Sequence, residues 1–322
     1  MAKKLYEESN IQAIADAIRG KCGTTCGYKT CDMAAAIDGI AGGGDTLAAK
    51  LNNTLTSYTS SEVTTVPSGA FKDYTPLTSI SLPGATSVGY QAFYGCTALA
   101  SADLPNAASV GNYAFNGCAA LTSIDLPNAT SLGTSAFNGC TALASVNLPN
   151  VTSLTGGYIF KSCEVLTSID LHSVTGAIGS GVFEMCYELT SISLPGATSV
   201  GYQAFYGCTA LTSVDLPKVT SIGESGFGGC QYLPKISLPS LTSISKLAFQ
   251  SCYRLETVIL GNEAAMVTLG NTNAFYNTPI ADGTGYVYVP YTLLATYKAD
   301  SNWSTYADQI RAIEDYPDIT GG

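Results

Sequence analysis

Charge is scarce in this chain. Asp, Glu, Lys and Arg make up 12% of its 322 residues, against 46% hydrophobic residues. That composition is too apolar for a disordered chain. The formal net charge is −10, and Lys and Arg nowhere form a run. Binding to a nucleic-acid backbone or insertion at an anionic membrane is therefore disfavoured. No stretch reaches the ~18 apolar residues that a spanning helix needs. The opening MAKKLYEESNIQAIADAIRG has two lysines but no apolar run of signal-peptide length, so a soluble chain outside the general secretory route is expected.

Chemistry-bearing motifs are also few. There is one histidine, His172, so a Ser-His-Asp or Cys-His site would have to use it, and no nucleophile elbow accompanies it. A phosphate-binding P-loop and a G-x-G-x-x-G in a βαβ setting are both missing. The one tryptophan, Trp303, sits among Tyr297, Tyr306 and Ile310, which together suit an apolar lid. These absences point away from an enzyme and toward no cofactor.

What is abundant is repetition. Leu121–Cys140 reads LTSIDLPNATSLGTSAFNGC, and close copies recur from about residue 55 to residue 275. The repeat phenylalanines are Phe71, Phe93, Phe115, Phe137, Phe160, Phe183, Phe205, Phe227, Phe249 and Phe275, spaced by 22 or 23 residues until a last interval of 26. A fixed period of this size is the mark of a stacked array. The L-x-x-I-x-L part alternates apolar and polar residues and is rich in β-branched types, which predicts a strand with one buried face. Pro83, Pro105, Pro127, Pro149, Pro195, Pro217 and Pro239 end these strands, since proline lacks the N–H a ladder requires. TS[IV]G reads as a second short strand or extended turn, with Gly allowing the corner. The AFxGC part is expected to form a helical or irregular turn with Ala and Phe inward. Nine or ten coils stacked at ~4.8 Å would make a rod of roughly 45 Å. Leu77–Leu99 and Leu189–Leu211 are identical over 23 residues, which points to recent duplication.

Four regions follow. Residues 1–43 carry two short amphipathic patterns, Ile11/Ile14/Ile18 and Met33/Ile37/Ile40, and predict a helix hairpin ending in Gly42–Gly44. Two such helices bury too little to stand alone. They are read equally as packing on copies of themselves or another protein (a homo-oligomer or attachment module) or as docking on the first repeat. Residues 44–76 are a degenerate capping repeat, 77–280 the regular array and 281–322 a C-terminal cap, with GYVYVP as a last strand and helices over Tyr291–Ala299 and Ser304–Ile313. The fold class is thus an α/β repeat solenoid with a parallel β-sheet.

The repeat resembles the BspA-like (treponemal-type) leucine-rich repeat family over roughly residues 55–275, through Ile124, Leu126, Pro127, Gly133, Ala136, Phe137 and Cys140 of the quoted copy. The resemblance implies a curved solenoid and a surface protein or adhesin, ordinarily without enzymatic activity. Residues 1–43 further resemble a module of phage and prophage tail-associated proteins, and VYVPYTLLATYKADSNWSTYADQIRAIED a cap found with it. The absence of a secretion signal fits a virion component. The expected localisation is a virion tail, or else the cell surface or extracellular space. Partners so implied are a bacterial surface protein or glycan, and tail proteins through residues 1–43. A bacterial adhesin of the same fold is the alternative, and a glycan hydrolase using Asp103 with Asp125 ranks below both.

Eight of the eleven cysteines (Cys96, Cys118, Cys140, Cys163, Cys186, Cys208, Cys230 and Cys252) lie three residues after a repeat phenylalanine. In-register stacking points them the same way, which suits packing and disfavours disulfides. Cys22, Cys26 and Cys31 lack a fourth ligand nearby, so no metal site is assigned. Two candidate binding rows remain. One is the outward strand position, Ser81, Asp103, Asp125, Asn147, Asp170, Ser193, Asp215 and Ser237. The other is a set of tyrosines flanking the Ala-Phe and Cys positions, with Tyr94, Tyr113 and Tyr206 foremost, beside Tyr90, Tyr158, Tyr187, Tyr202, Tyr232 and Tyr253. These flanks vary between repeats while the core positions barely change. Tyrosine gives contact area at low entropic cost.

Overall fold

The computed structural model describes residues 55–319. The helix hairpin expected over residues 1–43, with Cys22, Cys26 and Cys31, lies outside the described residues. By its internal contacts the chain divides into Met1–Leu143 and Ala144–Gly322, and each is taken in turn.

In the first unit every coil contributes two short strands and one turn. The first strand row is Ser57–Thr59, Ser79–Ser81, Ser101–Asp103 and Ser123–Asp125, all parallel. Its register joins residues one repeat apart, Ser57 to Ser79 and Ser79 to Ser101. The second row is Thr65–Val66, Ser87–Val88, Ser109–Val110 and Ser131–Leu132. Within Ser123–Asp125, Ile124 is buried between two exposed neighbours, as the alternation of the repeat predicts.

The A-F turn is neither helix nor irregular. It forms a third hydrogen-bonded wall: Gln91 N–H donates to Asn112 C=O (3.0 Å), Phe93 to Ala114 (2.7 Å) and Gly95 to Asn116 (2.8 Å). Two left-handed residues per coil make this geometry, one before the Ala-Phe pair and one after it. Gln91, Tyr113 and Ser135 have φ of 52°, 57° and 53°, and Gly95, Gly117 and Gly139 have φ of 69°, 74° and 76°. An L-residue in this region costs roughly 1–2 kcal/mol, offset here by three interstrand bonds per turn.

The second unit repeats the plan. Its second row runs Thr175–Ile178, Gly196–Val200, Ser221–Ile222, Ser243–Ile244 and Thr268–Leu269. Its first row includes Ser191–Ser193 with Ser213–Asp215, then Lys235–Ser237, Thr257–Ile259, Tyr286–Val289 and Ile310–Ala312. The end of the chain departs from the helical expectation. Tyr291–Leu293 is a 3-10 turn leading into the α-helix Leu294–Ala299, and Trp303–Gln309 is 3-10 helix followed by the strand Ile310–Ala312. Ile310 and Ala312 are inward-facing apolar residues two apart, so this stretch adds a strand to the sheet instead of prolonging a helix. The lid residues Tyr297, Trp303, Tyr306 and Ile310 are all buried. They also terminate the stack's polar groups: Trp303 Nε1–H donates to Val267 C=O (2.7 Å), Asn302 Nδ2 to Leu269 C=O (2.7 Å), Tyr306 O–H to Thr272 C=O, and Val267 N–H to Tyr297 Oη (2.8 Å).

Phenylalanine rings form the core of each unit. In the first, centroids from Phe71 to Phe137 are 5.0–5.6 Å apart with planes within 16°. In the second, those from Phe160 to Phe275 are 5.0–5.6 Å apart with planes within 10°. The offset stack suits the ring quadrupole. Trp303 and Tyr306 close it by tilted and edge contacts to Phe275.

The cysteine ladder is packing with a weak hydrogen bond added. Each repeat cysteine is fully buried. Cys96, Cys118 and Cys140 donate S–H to the carbonyls of Phe71, Phe93 and Phe115 at 2.9–3.2 Å. Cys208, Cys230 and Cys252 do the same to Phe183, Phe205 and Phe227 at 3.0–3.2 Å. Burial pushes the Cys140 and Cys186 thiols up to about 12.

The glycine of TS[IV]G is required by crowding. A Cβ on Gly223 would stand 2.8 Å from the Gly201 carbonyl carbon, and one on Gly111 the same distance from that of Gly89. Neither glycine has positive φ. Gly229 is the opposite case, with φ +74 and room for a Cβ at 3.6 Å. Ser251 and Asn277 hold the equivalent place in later coils.

We predict that Gly223→Ala lowers stability by about 1–3 kcal/mol through overpacking against backbone. Gly229→Asn should cost less than about 1 kcal/mol, because asparagine tolerates this conformation. Urea midpoints of the two variants decide the order. The thiols give a second prediction. A thiol whose folded value is raised from 9.0 to about 12 stays protonated in the fold while the unfolded chain ionises. The stability it contributes is intact below pH 9 and is lost as pH rises toward 12, by about 1.4 kcal/mol per pH unit for each such thiol. Denaturant midpoints at pH 8, 9 and 10 should fall, and Cys140→Ala with Cys186→Ala should shallow the slope.

Candidate recognition surface

The strand alternation that buries Ile80 and Ile124 turns their neighbours outward. In the first unit this puts Ser81, Asp103 and Asp125 at one register level on adjacent strands. Ser81 Oγ–H donates to Asp103 Oδ2 at 2.6 Å. Asp103 and Asp125 are both exposed. In the second unit Asn147 bridges to Asp170. Ser193 is level with Asp215 and donates to its Oδ2 at 2.7 Å. The register pairs within the units are Asp103 with Asp125, Asn147 with Asp170, and Ser193 with Asp215.

The two serine–aspartate pairs come from the identical segments Leu77–Leu99 and Leu189–Leu211, each followed by an aspartate one repeat on. Asp170 differs. It accepts from His172 N–H at 3.2 Å, and His172 Nδ1 lies 2.9 Å from its Oδ1. The imidazole contact, with the backbone bond second, holds the Asp170 carboxyl below its ordinary value. His172 is thereby an exposed partner of one carboxylate, with no nucleophile bonded to it among its described contacts.

The tyrosines divide by exposure. Tyr90, Tyr187, Tyr202, Tyr232 and Tyr253 are exposed. Tyr94, Tyr113, Tyr158 and Tyr206 are half-buried. Their surroundings give the reason. Lys72 Nζ lies 5.6 Å over the Tyr94 ring and Lys161 Nζ 5.2 Å over that of Tyr158. Tyr113 meets Tyr90 edge-on at 6.0 Å. The Tyr206 ring lies against Gly228, where a Cβ would be 3.0 Å from it. Tyr94 and Tyr206 thus meet the equivalent position of an adjoining coil, Lys72 and Gly228.

The second unit adds one residue to the candidate tyrosines that sequence reasoning passed over, Arg254. Arg254 stacks its guanidinium 4.4 Å above Tyr232, beside Tyr253. Both Tyr232 and Arg254 lie two residues after a ladder cysteine, so reading that column alone pairs them. Among the described residues no group of three or more His, Cys, Asp and Glu could hold a metal ion. No described helix is long and apolar enough to cross a membrane.

The chain is similar to a leucine-rich repeat protein of T. pallidum, at 30% identity over 56% of this chain and 78% of that one, TM-score 0.41. It is similar to a leucine-rich repeat protein of Bacteroides ovatus, at 21% identity over 81% and 84%, TM-score 0.35. A leucine rich cell surface protein of Faecalibacterium prausnitzii aligns at 21% identity over 79% and 91%, TM-score 0.40. No curated protein matches. The family model described as "BspA type Leucine rich repeat region (6 copies)" matches residues 64–187, 108–218 and 176–284, more than half of the chain. By this match the chain belongs to the BspA-type leucine-rich repeat family.

Proposed function

We propose that the chain is a non-enzymatic recognition protein, a phage or prophage tail-associated protein that presents its repeats to a bacterial surface protein or glycan. The observation that carries this reading is the division of labour within the repeat. Leu, Ile, Phe and Cys positions are buried in coil after coil, while the outward strand position alternates among Ser, Asp and Asn, and the turn flanks among Tyr, Arg, Glu and Thr. A surface of exposed hydroxyls, carboxylates and tyrosine edges suits many weak polar contacts with a hydrated partner. Membership of a family of surface and adhesion repeats supports binding over catalysis. Residues 1–43 would supply the attachment to the tail.

The same family membership favours a second reading, a bacterial cell-surface adhesin. Hydrolysis is disfavoured on physical grounds. Asp103 and Asp125 are both exposed, one strand apart, and an acid–base pair needs a setting, such as burial of one member, that drives the two apart.

Two measurements test the reading. The purified chain should bind intact cells or cell-wall glycan of its host and release no new reducing ends. Replacing Asp103, Asp125 and Asp215 by Asn should weaken that binding at least about tenfold, with stability within about 0.5 kcal/mol as for other surface changes. Retained binding by the triple variant would move the site off the strand face. Detection of the chain in purified virions supports the tail assignment, and its presence only in host envelope fractions supports the adhesin.

A further inference from the structure

The outward strand face changes character at the end of the second unit. Register aligns Lys235 with Thr257 and Tyr286, and Ser237 with Ile259, Tyr288 and Arg311. Where earlier coils carry Ser and Asp, this end carries a lysine, an isoleucine, two tyrosines and an arginine. Ile259 and Tyr288 are 2% and 7% exposed, although Ser193, Asp215 and Ser237 in the same row are exposed. The Tyr316 ring lies against Tyr288.

The segment that crosses here is the one after the last strand, with 3-10 turns Ile313–Asp315 and Pro317–Ile319. Its upstream end is tied down, because Glu314 carboxylate oxygens accept from Tyr291 N–H at 2.9 and 3.1 Å. Beyond that point it forms no strand ladder. Its own N–H bonds are local, Tyr316 to Ile313 and Ile319 to Tyr316. It reaches the face through an edge contact of the Tyr316 ring on Tyr288, centroids 5.3 Å apart, and through Lys235 Nζ donating to the Ile319 carbonyl at 2.6 Å. Tyr316, Pro317 and Asp318 are otherwise exposed. Arg311 covers Tyr286 from 4.7 Å.

These are the contacts of a bound peptide more than those of a core element. An aromatic ring sits on an aromatic platform, and three residues on a main-chain carbonyl is taken by an ammonium. A segment with few buried contacts and solvent-exposed bonds opens well below the global unfolding free energy. We infer that Lys235, Ile259, Tyr286, Tyr288 and Arg311 form a peptide-binding site that the chain's own residues 316–319 hold closed. The partner it takes is a segment of the same chemistry, an aromatic side chain with a main-chain carbonyl three residues later. This site is independent of the Ser/Asp row and of any glycan bound there.

The test uses the chain ended after Asp315 and an acetylated, amidated peptide of residues 314–319, followed by calorimetry. The shortened chain should keep cooperative unfolding and bind the peptide at least about tenfold more tightly than the 1–322 chain, whose tethered segment competes at high effective concentration. Lys235→Gln and Tyr288→Ala in the shortened chain should each weaken the peptide about tenfold. In the 1–322 chain, Lys235→Gln should speed amide exchange of residues 316–319 about tenfold and leave exchange of the Phe160–Phe275 coils unchanged. A folded shortened chain that shows no binding at ~1 mM peptide, the range of a tethered segment, would overturn the inference. So would unchanged exchange in Lys235→Gln, or loss of cooperative unfolding on shortening, since each makes the segment an integral part of the cap.

Discussion

In-register stacking is the constraint on which everything else rests. Each coil places a residue on its own equivalent one repeat away, at the ~4.8 Å spacing of hydrogen-bonded strands. A position is therefore selected for compatibility with itself. Phenylalanine meets that demand because parallel rings can slide into an offset stack at 5.0–5.6 Å. Cysteine meets it because a small polarizable thiol can donate to the preceding coil's phenylalanine carbonyl and needs no partner of a different kind. The glycine of TS[IV]G meets it by having no side chain where two backbones approach within a Cβ radius. An aspartate row meets it poorly. Where serine stands next to aspartate, at Ser81/Asp103 and Ser193/Asp215, the hydroxyl donates a hydrogen bond across the interval.

The same constraint decides how much was readable from sequence. Strand rows, buried ladders and the proline stops follow from alternation and period, which depend on one repeat and its copy. The identical segments Leu77–Leu99 and Leu189–Leu211 show how local this code is. Gln91 and Gln203 both have φ of 52°, and Tyr90 and Tyr202 are 46% and 44% exposed. The third wall was not readable, because its left-handed residues include Gln, Tyr, Ser and Leu, none of which announces that conformation. Glycine at the second left-handed position was visible, but a lone glycine reads equally as a corner.

The candidate surface was less legible than the fold. The outward register of Asp103, Asp125 and Asp215 follows from alternation alone. The exposure of the tyrosines does not, since it depends on what the neighbouring coil carries at the same column. Tyr206 is half-buried where its neighbour is Gly228, and Tyr232 gains Arg254 because the next coil happens to hold arginine there. A surface of a stacked array is a property of columns, and a single repeat is the wrong unit for reading it.

The end of the stack shows what happens when self-compatibility lapses. A last coil exposes carbonyls and a ring face that no further copy will cover. Trp303, Asn302 and Tyr306 supply side-chain donors to Val267, Leu269 and Thr272, and the Trp303 and Tyr306 rings close the phenylalanine stack. Toward that end the outward face takes on Lys235, Ile259, Tyr286, Tyr288 and Arg311 in place of the Ser/Asp row. Identical neighbours average out chemical character along the array. Local chemical individuality, and with it the capacity to select one partner over another, therefore concentrates where repetition stops.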